Sequence, residues 1–135
     1  MPIIKFPYKR DRQGIPHPII SIEVIHGGLE IPYEVLVDSG SESCIFDAQI
    51  AELFDVDIMS GQPEQVSGLT GGSETYYVHK IMVKINNRFY ELEAGFLPSM
   101  DKFAFGIVGQ RSFFETFTVK FDRLKEQIEL QEYGG

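Results

Sequence analysis

The chain has 135 residues, 43% of them hydrophobic, which suits one compact domain with a single core. Its 20 acidic and 12 basic side chains give a net charge of −8, and this argues against a nucleic-acid groove, which needs clustered Lys and Arg. No apolar run approaches the roughly 20 residues of a membrane span, and the N-terminus lacks the charged start and long apolar middle of a signal peptide.

Cys44 is the single cysteine, so the chain cannot form an internal disulfide. This suits a reducing compartment. The sequence therefore predicts a cytoplasmic protein with no membrane partner and no nucleic-acid partner.

Residues 1–18 contain four of the seven prolines and show little periodicity. They are predicted to form an extended, irregular arm, and the domain itself is predicted to cover residues 19–135. The arm also carries apolar side chains that would fit a segment docking on a larger partner, namely Ile3, Ile4, Phe6 and Tyr8.

Two β-branched runs, 19–25 and 29–37, are separated by Gly27 and Gly28 and predict a β-hairpin. Pro32 has no N–H to donate, so the first half of the second strand is predicted to lie at an edge or a bulge. The hairpin delivers the chain to Asp38.

The second strand ends in Val35-Leu36-Val37 and runs directly into Asp38-Ser39-Gly40-Ser41. This pattern predicts a buried strand cut off by a tight turn that points a carboxylate out of the core. An acid beside a core strand is costly unless a site uses it. The alternative is a plain β-turn, in which Asp38 and Ser39 bond their own backbone and Gly40 supplies a positive φ.

Beyond the turn, residues 44–46 return to apolar surroundings and Asp47 is placed to cap a short helix over 48–54. Residues 61–64 are predicted as a loop. A hairpin over 65–77 follows, and strands 78–85 and 88–94 flank a two-residue turn, Asn86-Asn87. The tip of the 65–77 hairpin consists of Gly68, Leu69, Thr70, Gly71 and Gly72.

Near the C-terminus an apolar strand over 104–108 ends in Gly109, and a short helix-like segment over 110–114 follows. Residues 116–121 and 127–130 flank a charged turn and predict a last hairpin. Many short strands with turn signals and little helix favour an all-β fold that is closed or sandwiched.

The order of these pieces resembles the single-domain retropepsin-like aspartic proteases. A strand leads into Asp38-Ser39-Gly40, a Gly-rich hairpin follows, and Ile107-Val108-Gly109 precedes a helix. The resemblance covers about residues 19–130. It implies a retropepsin-like closed β-barrel or sandwich with a flap hairpin and one or two short helices.

The resemblance implies an aspartic endopeptidase that hydrolyses peptide or protein substrates without a cofactor. Such chemistry needs two carboxylates that share a proton, and the chain has one Asp-Ser-Gly. The second carboxylate must then come from Asp38 of another copy, which makes a two-fold homodimer a requirement. A non-catalytic dimerisation or peptide-binding module with the same fold is the alternative.

The resemblance also assigns supporting roles around Asp38. Ser39 would tie the two catalytic loops together, and Gly40 would let substrate backbone and the facing loop approach. Val108 and Gly109 would form the apolar floor under the catalytic loop. Residues Gly68 to Gly72 would form the flap that closes over a bound peptide.

Two positions depart from the retroviral members of that family. Ser41 replaces the usual alanine, and a hydroxyl donated to the outer Asp38 oxygen would favour the charged carboxylate, so a more acidic pH optimum than that of Ser41→Ala is expected. Gln110 stands where those members carry an Arg that pairs with an acid just after the catalytic triplet. Here that acid is Glu42, and Arg111 is the nearby candidate for its partner.

Other chemistries have weaker support. Ser39 and Ser41 lack the glycine-flanked elbow of the α/β hydrolases. Cys44 is followed by apolar residues, which favours a buried structural thiol over a thiol site with a distant histidine. The three histidines, His17, His26 and His79, lack zinc-ligand spacing, and the Gly68–Gly72 stretch lacks the Gly-Lys-Ser/Thr of a phosphate-binding loop.

Overall fold

The computed structural model describes residues 2–67, 73–98 and 105–134. Strands dominate, in agreement with the predicted all-β class, and the helices of the described residues are too short to cross a membrane. The helices are α1 (Ala48–Leu53), α2 (Phe113–Thr116) and a 3-10 helix (Ile58–Ser60). The strands are β1 (Ile3–Pro7), β2 (Lys9–Arg10), β3 (Pro16–His17), β4 (Ile19–His26), β5 (Leu29–Val37), β6 (Cys44–Asp47), β7 (Gln62–Ser67), β8 (Ser73–Ile85), β9 (Arg88–Leu97), β10 (Gly106–Val108), β11 (Phe117–Asp122) and β12 (Gln127–Glu132).

Within the described residues, β4, β5, β10, β6, β9 and β8 pair in that order and form a ring, which closes because β8 also pairs with β4. The closing register joins Glu23 to Lys84, Val24 to Val83 and Ile25 to Met82. β7 lies outside the ring and pairs with β8. Ring closure leaves these six strands without a free edge along the paired stretches, so the predicted closed β-barrel is confirmed.

Two hairpin turns follow from their residues. Gly27 and Gly28 join β4 to β5 with φ of 57° and 84°, and Asn86 and Asn87 join β8 to β9 with φ of 50° and 67°. Positive φ at both central residues matches the twist of the flanking strands, and Gly and Asn tolerate it best. Both predicted turns are confirmed.

β5 confirms the prediction made from Pro32. β4 pairs with β5 along its whole length, whereas β10 pairs only with Val35, Leu36 and Val37. Pro32 therefore lies in the half of β5 that has one partner strand in the described part of the chain. β10 brings the end of β5 next to the segment that begins at Gly109.

The N-terminal segment is more regular than predicted. β1 pairs antiparallel with β12, which also pairs with β11, and Ile4 of β1 is buried with 7% of its surface exposed. Residues 3–7 are therefore a paired strand and not an irregular arm. The partner strand lies at the other end of the chain, where no local pattern in residues 1–18 could reveal it. The division at residue 18 remains a prediction.

Two predicted boundaries were wrong. β7 begins at Gln62, inside the expected loop 61–64, because residues 62–67 pair with β8. The segment after Gly109 becomes helical at Phe113 and not at Gln110. Gln110 and Arg111 instead use their backbone N–H groups to bond the carbonyls of Ser41 and Glu42, which holds both residues against the Asp38 turn.

The core is built from the inward faces of the strands together with aromatic residues of α2 and β11. Phe46, Phe113 and Phe117 have no exposed surface, and the rings of Phe113 and Phe117 lie 5.1 Å apart between centroids. These contacts place Phe113 and Phe117 in the core. Phe121, further along β11, is instead 39% exposed.

Candidate active site

Asp38 follows the last residue of β5 and is held by its backbone. Its N–H donates to the carbonyl of Val108 at 3.0 Å, and its carbonyl accepts from the N–H of Ser41 at 3.1 Å. The carboxylate oxygen Oδ1 accepts from the N–H of Gly40 at 2.9 Å. Val37 and Val108 are buried, Asp38 is half-buried, and Ser39 and Gly40 are exposed. A tight turn thus presents a carboxylate at the surface from a rigid strand end.

This geometry contains the plain β-turn that the sequence left open, since Asp38 does bond the backbone of its own turn. The positive φ expected for Gly40 in that alternative is not found. A methyl group at Gly40 would meet only the Asp38 Oδ1 atom, at 3.3 Å, among the described residues of the chain. Packing within the described residues therefore gives only a weak reason for a glycine at position 40.

Gly109, in contrast, is required by close backbone approach. A Cβ atom at this position would lie 2.4 Å from the Ser41 carbonyl oxygen and 2.6 Å from that of Ser43. The next residue, Gln110, donates its N–H to the Ser41 carbonyl at 2.8 Å. Gly109 thus lets the segment after β10 lie directly against the Asp38 turn, which fits the floor predicted for Val108 and Gly109.

Cys44 is a buried structural thiol that joins the same two segments. Its Sγ accepts from the Gly109 N–H at 3.5 Å and donates to the Arg111 carbonyl at 3.4 Å. Burial raises the pKa of the thiol above its ordinary value, because the charged thiolate would be desolvated. Cys44 therefore stabilises the loop contact, as the apolar sequence around it suggested.

Ser41 does not make the hydrogen bond expected from the sequence. Its hydroxyl donates to the Ser43 carbonyl at 2.8 Å and not to the carboxylate of Asp38. A short-range bond to a backbone carbonyl two residues ahead is a common alternative for serine in turns. The structural basis for the predicted acidic shift of the pH optimum is therefore missing from the described chain.

Arg111 does not pair with Glu42 as expected. Its Nη1 atom donates to both carboxylate oxygens of Glu64 at 3.0 Å, and its Nε atom lies 3.5 Å from Glu93. The hydrogen bond and charge of Glu64 raise the pKa of Arg111 further. Arg111 thereby connects the loop after β10 to β7 and β9. Only its backbone N–H reaches Glu42, where it donates to the carbonyl at 2.9 Å.

Gln110 makes a contact that the sequence did not reveal. Its side-chain Nε2 atom donates to the Ser39 carbonyl at 2.6 Å. The departure from Arg at this position was visible in the sequence, but the acceptor is a backbone carbonyl 71 positions away, which no local pattern marks.

A polar cavity of about 490 Å³ lies beside the turn. Its lining carries three glutamates and one arginine, so its surface is mainly acidic. The residues that line it are Glu42, Ser43, Glu64, Gln110, Arg111 and Glu115. Asp38 is not part of this lining.

The predicted flap residues, Gly68, Leu69, Thr70, Gly71 and Gly72, lie outside the described residues. The strands on either side are described, and their last paired positions are Ser67 and Ser73. A hairpin stem of the predicted kind is therefore present, and the role of its tip stays a prediction.

The histidines take part in other contacts. His17 bonds Asp11 at 2.9 Å, His79 bonds the Ile58 carbonyl at 2.7 Å, and the His26 ring packs on Phe54. Across residues 2–67, 73–98 and 105–134, no group of three or more His, Cys, Asp or Glu side chains could hold a metal ion. The described site thus has a carboxylate, hydroxyls and backbone donors as its chemical groups.

Two solved structures are similar to this chain. The crystal structure of a retropepsin-like aspartic protease from Rickettsia conorii aligns with a TM-score of 0.66 and 19% identity, over 96% of this chain and 91% of that chain. The solution structure of the Simian Foamy Virus (mac) protease aligns with a TM-score of 0.48 and 16% identity, over 68% of this chain and 87% of that chain. No protein-family model and no curated protein matches. The first similarity shows that the fold is retropepsin-like.

Proposed function

We propose that this retropepsin-like chain is an aspartic endopeptidase that acts as a homodimer. The observation that carries the proposal is the Asp38 carboxylate, which follows the buried end of β5, accepts the Gly40 N–H at 2.9 Å and is followed by the exposed residues Ser39 and Gly40. This arrangement fixes the carboxylate and leaves it accessible to water and a peptide.

The homodimer follows from the chemistry. One carboxylate must take a proton from water while another, protonated, donates to the peptide carbonyl, and the chain has one Asp-Ser-Gly. A two-fold axis would bring two copies of Asp38 together. Gly40 supports this, because among the described residues a methyl group there would press only on the Asp38 Oδ1 atom, at 3.3 Å. A substrate or a facing loop would then be what excludes a side chain.

In the proposed reaction, the ionised Asp38 carboxylate removes a proton from the bound water as the water oxygen attacks the peptide carbonyl carbon. The protonated Asp38 of the second copy donates its proton to the carbonyl oxygen. The tetrahedral intermediate then collapses: the C–N bond breaks, the protonated carboxyl group gives its proton to the leaving amine, and one hydroxyl of the intermediate returns its proton to the ionised carboxylate. Both carboxyl groups together hold one proton before and after the cycle.

The other residues of the site are proposed as supports. Ser39 would join the two turns across the axis, Val108 and Gly109 would hold the turn from below, and Ser41 would brace it through Ser43. The 68–72 segment would close over the peptide as a flap. We place the enzyme in the cytoplasm, a location supported by the single free cysteine.

A mixing experiment tests catalysis and dimerisation together. Wild type should cleave a mixed peptide library between mildly acidic and neutral pH, as detected by mass spectrometry, whereas Asp38→Asn should not. The matched control is Asp55→Asn, because Asp55 is exposed and its positive φ of 57° suits Asn. Asp55→Asn should retain activity.

Wild type and Asp38→Asn are then refolded together in equal amounts. If each site needs one Asp38 from two copies, activity should fall to about a quarter, the square of the wild-type fraction, while independent monomers would retain about half. Cleavage that survives in Asp38→Asn contradicts the mechanism. If a wild-type dimer cleaves no peptide at any pH, the peptide-binding module is favoured, and a bound peptide should then be sought.

A further inference from the structure

The peptide group between Ser39 and Gly40 is hydrogen-bonded at both of its ends. Its carbonyl accepts from the Gln110 side chain at 2.6 Å, and its N–H donates to the Asp38 carboxylate at 2.9 Å. A peptide group is planar and rotates as one unit. A rotation that breaks the bond to Gln110 therefore also turns the N–H away from Asp38.

Gln110 is itself fixed against the turn. Its backbone N–H donates to the Ser41 carbonyl at 2.8 Å, so its backbone and its side chain bond two carbonyls of the same turn. The preceding Gly109 allows this approach, because a Cβ atom there would lie 2.4 Å from the Ser41 carbonyl oxygen. The side chain of Gln110 thus starts from a backbone position that has little freedom.

We infer that Gln110 is a positioning residue for the Asp38 carboxylate and acts through the Ser39–Gly40 peptide group. By donating to the carbonyl it fixes the peptide plane, and by polarising the peptide it makes the Gly40 N–H a stronger donor. A hydrogen bond to a charged carboxylate is one of the stronger kinds. The inference rests on the proposed function where it concerns catalysis, and on the hydrogen bonds alone where it concerns the carboxylate.

An amide suits this position because it donates without adding charge beside Asp38. The neighbouring cation, Arg111, is directed to Glu64 and Glu93 and does not contact the turn with its side chain. The link from Gln110 to Asp38 is thus separate from the ion pairs of the loop.

Nuclear magnetic resonance can observe both ends of this peptide group in one signal. Labelling Ser carbonyls with ¹³C and Gly nitrogens with ¹⁵N selects Ser-Gly peptides, and the sequence has three of them, at 39–40, 60–61 and 67–68. The 39–40 signal is the one that disappears in Gly40→Ala. The 60–61 signal, whose N–H donates to the Ile58 carbonyl, reports in the same spectrum whether a variant is folded.

Two variants remove the donor. Gln110→Met keeps the length of the side chain, and Gln110→Glu keeps its shape but at neutral pH can only accept. In both, the 39–40 signal should move upfield in its amide-proton and carbonyl-carbon dimensions, while the 60–61 signal stays in place. Arg111→Met, which removes the neighbouring ion pair, should leave the 39–40 signal where it is. A 39–40 signal that keeps its wild-type position in both Gln110 variants overturns the inference.

Kinetics supply the second readout. Gln110→Met should lower kcat by roughly tenfold, the equivalent of one hydrogen bond, and should leave KM within about twofold, since Gln110 is not proposed to touch substrate. An unchanged kcat with a moved 39–40 signal would overturn the role in catalysis. If wild type cleaves nothing, the proposed function fails, and the signal still decides whether Gln110 positions Asp38.

Discussion

Arg111 binds both carboxylate oxygens of Glu64 at 3.0 Å, and this pair connects the loop beside the Asp38 turn to β7. β7 leads into the segment predicted as the flap. The same arginine approaches Glu93 on β9, so the loop after β10 is joined to both β7 and β9 through one guanidinium group. The contact is partly exposed, with 48% of the Arg111 side chain and 30% of the Glu64 side chain accessible.

Replacement of Glu64 by Gln should lower the free energy of unfolding only slightly. Exposed ion pairs contribute about 0–1 kcal/mol, and this pair should lie near the upper end of that range because Arg111 also approaches Glu93. Glu129→Gln is the control, because Lys5 and Glu129 are 3.9 Å apart and should contribute almost nothing. Urea denaturation measures both. If Glu64→Gln lowers the free energy of unfolding no more than Glu129→Gln does, the ion pair between Arg111 and Glu64 does not stabilise the fold.

Gly109→Ala should destabilise the chain by about 1–3 kcal/mol, the usual cost of overpacking. Its new methyl group would meet two backbone carbonyl oxygens, of Ser41 and Ser43, which cannot move without shifting the Asp38 turn. Thermal or urea unfolding measures the loss.

Gly40→Ala should give the opposite pattern. Among the described residues its methyl group would meet only the Asp38 Oδ1 atom at 3.3 Å, which a small shift of that side chain relieves, so the stability of the isolated chain should change little. Peptide cleavage should nevertheless be lost if substrate or a second copy packs there. Full activity in a folded Gly40→Ala protein would contradict the role proposed for Gly40.

The Cys44 thiol should resist alkylation in the folded protein. Only 1% of its surface is exposed, and burial raises its pKa, so very little reactive thiolate forms at neutral pH. A thiol reagent such as 5,5′-dithiobis(2-nitrobenzoic acid) should react with one thiol per chain in guanidinium chloride and with almost none in buffer. Rapid reaction in buffer would show that the contact among Cys44, Gly109 and Arg111 opens readily.

Two tyrosines should weaken the fold at alkaline pH. Burial raises the pKa of Tyr33 to about 12. Burial, followed by the hydrogen bond to Glu132, raises the pKa of Tyr90 to about 12. Because the folded chain holds these protons more tightly than the unfolded chain, their contribution is complete below the ordinary tyrosine pKa of about 10 and is lost as the pH rises towards 12.

Tyrosine absorbance at 295 nm, followed from neutral pH to alkaline pH, tests this. Tyr33→Phe and Tyr90→Phe should each lose amplitude near pH 12, and each should reduce the fall in unfolding free energy over that interval. Loss of amplitude near pH 10 in either variant would contradict the assignment.

Local chemistry was enough to predict several elements. Pro32 marked the half of β5 with one partner, Asn86 and Asn87 marked a turn, and Asp47 caps α1 by accepting the Gln49 N–H at 2.9 Å. Each of these depends on residues that are close in the sequence. The Asp38 turn belongs to the same group, since its hydrogen bonds to Gly40 and Ser41 are local.

Contacts between distant segments could not be predicted in this way. Glu42 lies close to the backbone of Arg111, yet the Arg111 side chain pairs with Glu64 and Glu93. These two acids lie on β7 and β9, which the folded sheet brings close to Arg111. The link from Gln110 to Ser39 likewise depends on how β10 lies beside β5. These pairings depend on the assembled sheet, so the local sequence does not predict them.

The pairing of β1 with β12 also bears on how the protein is made. Pro7 pairs with Gln127, so β1 leaves the ribosome about 120 residues before its partner does. Until then Ile4 has no Leu130 opposite it, and an unpaired apolar strand is open to wrong partners. The barrel strands are complete earlier on the nascent chain, whereas this sheet can form only after β12 has been made. Its docking is therefore a late step of folding, and β1 stays open to wrong partners until that step.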